Sequence, residues 1–171
     1  MDRKTALILV ANGAVFISVS LAALGHGNES TTAKTTTGKT TVMIDYRRPA
    51  LKGRDLMKMI HPGDLWRLGA DAPTTIESSS DLDFGGTRVP KGKHVLLARY
   101  LEPGKWTLVV SSKDRRNYEP SAKLAEVPLE VREGQEPVEQ LKIDLLSRGE
   151  KGIIEIAWGG YRLTGSFEPA R

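Results

Sequence analysis

The side chains best placed for chemistry lie between Tyr46 and Thr75, where Arg48, Arg54 and Arg67 alternate with Trp66, Asp71 and Thr74. An indole face beside an arginine fork suits an anion or a sugar, through stacking, cation–π attraction and paired N–H donors. These six are the candidate ligand-binding residues. The same set also fits a brace. Trp66 would then plug one end of a β-domain while Arg48, Arg54 and Arg67 pair with Asp45, Asp55, Asp64 and Asp71, since an irregular loop must find partners for its charges and backbone. The brace is the simpler reading, because packing accounts for most Trp and Arg neighbours in small domains.

Other constellations fall short. His61 and His94 could join a carboxylate around a metal, but no H-x-H or H-E-x-x-H spacing supports one, and His26 precedes the folded part. No metal site is expected. Asp81-Leu82-Asp83 opens like a calcium loop, yet the position of the bidentate Glu holds Gly92, so a turn between strands accounts for it better. Ser78-Ser79-Ser80 lacks a G-x-S-x-G elbow, and neither a P-loop nor a dinucleotide fingerprint occurs. No catalytic residue and no cofactor is assigned.

Composition narrows the classes further. The 171 residues suit one domain, and the absence of Cys excludes disulfides, thiolate metal sites and a cysteine nucleophile. Twenty-five Lys and Arg against 21 Asp and Glu give a net charge of +4 with both signs interspersed, unlike the clustered charge of a nucleic-acid binder.

The elements that must position these residues read as sheet. Val42, Ile44 and Tyr46 share one face of a strand; Thr74–Ser78 and Asp81–Phe84 are short strands, and Gly85-Gly86 is a turn. Lys93–Leu101 and Trp106–Ser111 flank a Glu102-Pro103-Gly104-Lys105 loop, and Lys123–Arg132 and Val138–Leu146 flank another turn cluster. Ile153–Trp158 and Tyr161–Phe167 meet across Gly159-Gly160, which sets Trp158 opposite Tyr161 and Ile156 opposite Leu163. Asp55–Ile60 is the one helical suggestion. The prediction is an all-β antiparallel sandwich, with barrel-like closure possible, over residues 42–171.

Ahead of it, Arg3 and Lys4 precede an uncharged run from Ala6 to Leu24, the order of a secretory signal over residues 1–25 with a cut before His26. An uncleaved membrane anchor over residues 6–24 is the alternative, and either reading puts the domain outside the cytoplasm. Residues 26–41, where seven of eleven positions from Thr31 to Thr41 are Thr, are expected to form a flexible tether.

The order Tyr46-Arg47-Arg48-Pro49, Gly53-Arg54, Trp66-Arg67-Leu68-Gly69-Ala70 and Thr74, then Pro90-Lys91-Gly92 and a strand with Trp106, resembles a family of exported bacterial proteins catalogued as domain of unknown function 2911. The family usually has Asn where this chain has Asp71, and an aromatic where it has His94. The resemblance covers Val42 to Phe167 and implies an exported all-β domain with no reaction attached. The expected role is a non-catalytic binding or structural module of the cell envelope, with a small-molecule, glycan or protein partner and no nucleic acid. A carbohydrate hydrolase and a membrane-anchored docking domain are the alternatives.

Overall fold

The structure, a computed structural model, describes residues 28–134 and 136–171. The expected signal or anchor over residues 1–25 lies outside them. Twelve strands occur among the described residues: β1 (Glu29–Thr37), β2 (Thr40–Arg48), β3 (Leu65–Trp66), β4 (Thr75–Ser78), β5 (Leu82–Phe84), β6 (Thr87–Val89), β7 (Gly92–Glu102), β8 (Lys105–Ser111), β9 (Lys123–Arg132), β10 (Val138–Arg148), β11 (Lys151–Gly159) and β12 (Tyr161–Pro169). All pair antiparallel, in the order β1-β2-β4-β7-β8-β9-β12-β11-β10. β3 extends the line of β4 along β7, and the β5–β6 hairpin pairs with the end of β12.

The fold is all-β, and the sheet curls into a nearly closed barrel, the barrel-like closure that the pattern allowed, with β1 and β10 side by side but not paired as strands. Alternation explains the inside: Val42, Ile44 and Tyr46 of β2 face Leu96, Ala98 and Tyr100 of β7, Leu108 of β8, and Ile154 and Ile156 of β11 in one buried cluster. Each fully buried aliphatic side chain contributes about 1.5–3 kcal/mol. The β11–β12 hairpin takes the register that its turn chemistry predicts, with Trp158 opposite Tyr161 and Ile156 opposite Leu163. Gly159 supplies the positive φ of +55° that the tight turn requires.

Two expectations need correction. Residues 29–37 are not a tether but strand β1, paired with β2 from Glu29–Arg48 to Thr37–Thr40. Threonine is β-branched and suits a half-buried strand, and period two applies here too: Thr31, Ala33, Thr35 and the fully buried Thr37 alternate with exposed neighbours. Asp55–Ile60 contains only a single 3-10 turn, Leu56–Lys58, whose Met57 N–H is capped by Asp55 Oδ1 at 3.0 Å.

The seam of the barrel lies between β10 and the first hairpin. Beyond Arg48 the chain continues alongside β10: Pro49 O accepts from Leu141 N at 3.0 Å, and Leu51 N donates to Glu139 O at 2.9 Å. Deeper in, the buried Tyr46 hydroxyl accepts from Ile143 N at 2.9 Å and donates to Ile143 O at 3.2 Å. Burial pushes the Tyr46 phenol above its ordinary value, despite the hydrogen bond to Ile143 and the charge of Arg48. A raised phenol favours the folded state below the unfolded value near pH 10, and that contribution is lost as pH rises through the folded value. Tyr46→Phe should therefore cost about 1–3 kcal/mol at neutral pH, because it orphans both Ile143 groups. The gap between parent and variant should narrow above about pH 10 in denaturant titrations.

Candidate functional site

The two ends of the barrel differ. At one end Phe84 and Phe167, both buried, pack with ring centroids 5.8 Å apart under the β5–β6 hairpin. Phe167 lies opposite Gly152, where a Cβ would sit 2.1 Å from the ring. Only a glycine admits that ring.

At the other end the chain's three tryptophans meet. Trp66 projects from β3 into the barrel, because its cross-strand partner Ala98 is an inward position. It stacks on Trp158 of the far wall at 5.3 Å and 13°, and meets Trp106 edge-on at 6.1 Å and 67°. Aromatic pairs of this kind contribute about 0.5–1.5 kcal/mol each beyond their buried area. Trp158 Nε1 is satisfied by Glu139 O at 3.2 Å. Around the three rings lies a cavity of about 210 Å³, walled by Ile156, Leu163 and Tyr161 from the barrel and by Leu56, Met57, Met59 and Ile60 from the loop above. Asp64 and Arg115 are its only charged lining residues.

The covering loop is held at both ends. Arg54 donates from Nε to Leu51 O and from Nη2 to Ala50 O, both at 2.8 Å, and Lys52 N donates to Glu139 Oε1 at 2.8 Å. At the far end Gly63 N donates to Tyr100 O at 2.7 Å, and Asp64 Oδ2 accepts from His61 N at 2.8 Å. Trp66 begins the next segment with its position already set.

The six candidates therefore separate. Trp66 alone lines the cavity. Arg48 braces the seam, donating to Leu141 O at 3.2 Å and pairing with Glu29 at 3.2 Å. Arg54 holds the loop. Arg67 donates to Asp71 O at 3.1 Å, and the Asp71 carboxylate receives Asn28 at 3.0 Å and faces Arg47 at 3.7 Å. Thr74, fully buried, donates to Leu68 O at 2.8 Å. The expected pairing of Arg48, Arg54 and Arg67 with Asp45, Asp55, Asp64 and Asp71 is thus not what forms: the loop's main shortage is of donors for its turned-in carbonyls, and guanidinium N–H groups supply them. His61 and His94 stand on separate elements, with His94 Nε2 against Pro90 O at 2.7 Å. Asp81 receives Lys91 N and Arg88 at 2.8 Å each, and Asp83 receives Gly86 N at 2.7 Å, so both acids brace a turn.

Arg67 and Asp71 do come together in a second, outward-facing cleft of about 140 Å³, shared with Arg115, Arg116 and Asp114 of the loop between β8 and β9. That loop is anchored by Arg99, which reaches Tyr118 Oη at 3.0 Å and Glu126 Oε1 at 3.0 Å. Burial works against the charge of Glu126, but hydrogen bonds from Lys123, Thr107 and Arg99 outweigh it and hold its carboxyl below the usual range. This stabilisation is present above the ordinary Glu range and lost as pH falls below it.

A profile of the family described as "Protein of unknown function (DUF2911)" matches residues 28–166. The chain belongs to that family. No curated protein and no solved structure matches it. The run Trp66-Arg67-Leu68-Gly69-Ala70 has a physical content in this chain. Trp66 enters the barrel, Leu68 takes a positive φ of 54° while fully buried, and a Cβ on Gly69 would meet Thr74 Oγ1 at 2.8 Å and Arg47 O at 3.2 Å. Gly69→Ala must displace a buried, hydrogen-bonded threonine. It should lower stability by about 1–3 kcal/mol, read by thermal or denaturant unfolding.

Proposed function

We propose that this protein is an exported binding module that holds a small apolar molecule at the tryptophan-lined end of its barrel. The observation that carries the reading is the convergence of Trp66, Trp106 and Trp158 on one cavity whose other walls are almost wholly aliphatic, thioether or aromatic. Ligand sites favour such concave apolar surfaces at barrel mouths. The volume of about 210 Å³ exceeds the roughly 150 Å³ of an apolar protein cavity that accepts benzene, so a single ring with a short chain is a fitting size. Met57 and Met59, on a loop rather than on the sheet, give the entrance an adaptable lining. The lining supplies contact area, one cation and one carboxylate already bonded to His61 N, rather than a nucleophile with its base, which favours binding over catalysis. Export rests on the basic, then apolar, then small-residue order of residues 2–25.

Hydrocinnamyl alcohol, a neutral ring with a short chain, tests the reading. At ten times its dissociation constant it should stabilise the protein by about 1.4 kcal/mol and raise the melting temperature accordingly. Met57→Trp, which fills the entrance from the loop, should remove that gain. A parent protein whose melting temperature does not respond to the alcohol would contradict the proposal.

A further inference from the structure

The cavity's one cation sets the chemistry of its occupant. We infer that the ligand is a small aromatic carboxylate, its ring among the tryptophans and its carboxylate at Arg115; this rests on the binding reading above. Arg115 lines both the apolar cavity and the outward cleft, so this residue stands where the two meet. Among the described residues, its side chain makes one hydrogen bond, a long one to Leu65 O at 3.5 Å.

Among the described residues Arg47, Arg48, Arg88, Arg99, Arg132 and Arg171 each pair with a carboxylate, while Arg54 and Arg162 donate to backbone carbonyls. Among the described residues, no carboxylate lies within ion-pair distance of Arg67, Arg115 or Arg116, and these three converge on the same cleft. The acids nearby are engaged elsewhere. Asp114 Oδ1 accepts from Arg116 N and Asn117 N at 3.0 Å each, Asp71 faces Asn28 and Arg47, and Asp64 holds the His61 turn. The cleft thus sets three guanidinium side chains against the two carboxylates of Asp71 and Asp114, and Arg115 joins it to the apolar cavity. An apolar body with a planar anionic head satisfies both, since a guanidinium fork matches a carboxylate in a bidentate manner.

The test compares hydrocinnamate with hydrocinnamyl alcohol, equal in ring and chain and different in charge, by calorimetric titration of the parent and of Arg115→Gln. Arg115 is exposed, and its replacement sacrifices only the long bond to Leu65, so the variant should fold. The parent should bind the acid about five- to tenfold more tightly than the alcohol, a tenfold ratio being about 1.4 kcal/mol. Arg115→Gln should bring that ratio close to one by weakening the acid. On the parent alone, added salt should weaken the acid and not the alcohol. Equal binding of acid and alcohol by the parent overturns this inference while the binding reading stands. An acid preference that survives Arg115→Gln also overturns it. Binding of neither probe overturns both.

Discussion

The Tyr46 hydroxyl, bonded to both backbone groups of Ile143, holds the first hairpin against β10 at the far edge of the sheet. An open sheet presents unpaired N–H and C=O groups along each edge, and closure removes that exposure. In this protein the closure also decides where the mouth lies. The segment Pro49–Leu51 pairs with β10 as a continuation of β2, and the covering loop starts from it. Arg54 then turns back onto the carbonyls of Ala50 and Leu51, so the loop is fixed to the seam and not merely laid over the opening. Loosening the seam loosens the roof of the cavity.

The contrast between the two ends follows from side-chain volume against backbone. At the phenylalanine end a glycine admits the Phe167 ring, so the interior fills. At the tryptophan end the largest side chains of the chain stack across the lumen from opposite walls, and two flat rings in parallel leave space at their rims that aliphatic neighbours do not occupy. The strained backbone of Leu68 and the close approach of Gly69 to Arg47 and Thr74 hold β3 against β7 and keep Trp66 in that stack. The Trp66–Ala70 segment thus reads as the device that positions one ring.

Much of the sheet was legible because period two and turn chemistry agreed, as at Gly159-Gly160, where the register follows from two glycines and an apolar face. β1 was hidden by its composition: Thr31 to Thr37 lacks large apolar residues, and its pairing depends on β2 rather than on its own burial. Two-residue β3 carries no periodicity at all, and only its neighbour Ala98 shows that Trp66 points inward. The arginines were visible as braces, but their carbonyl partners were not, since backbone acceptors carry no mark in a sequence. The cavity was half visible: Trp106, Trp158 and Tyr161 fall at strand positions in the sequence, but that they form its floor and wall depends on how strands far apart in the chain face one another. Arg115 had no signal, because only the fold-back of its loop brings it to the mouth.

If the three indoles surround one ligand cavity, an occupant must perturb all of them together. Each of the three tryptophans contributes one indole N–H signal to a nitrogen–proton correlation spectrum, so the claim can be read at the residues that carry it. On addition of hydrocinnamyl alcohol, all three indole signals and the amides of Met57–Ile60 should shift together along one binding curve, while the amides around Phe84 and Phe167 hold still. Shifts confined to the phenylalanine end or to the outer strand faces, with the three indole signals unmoved, would contradict it.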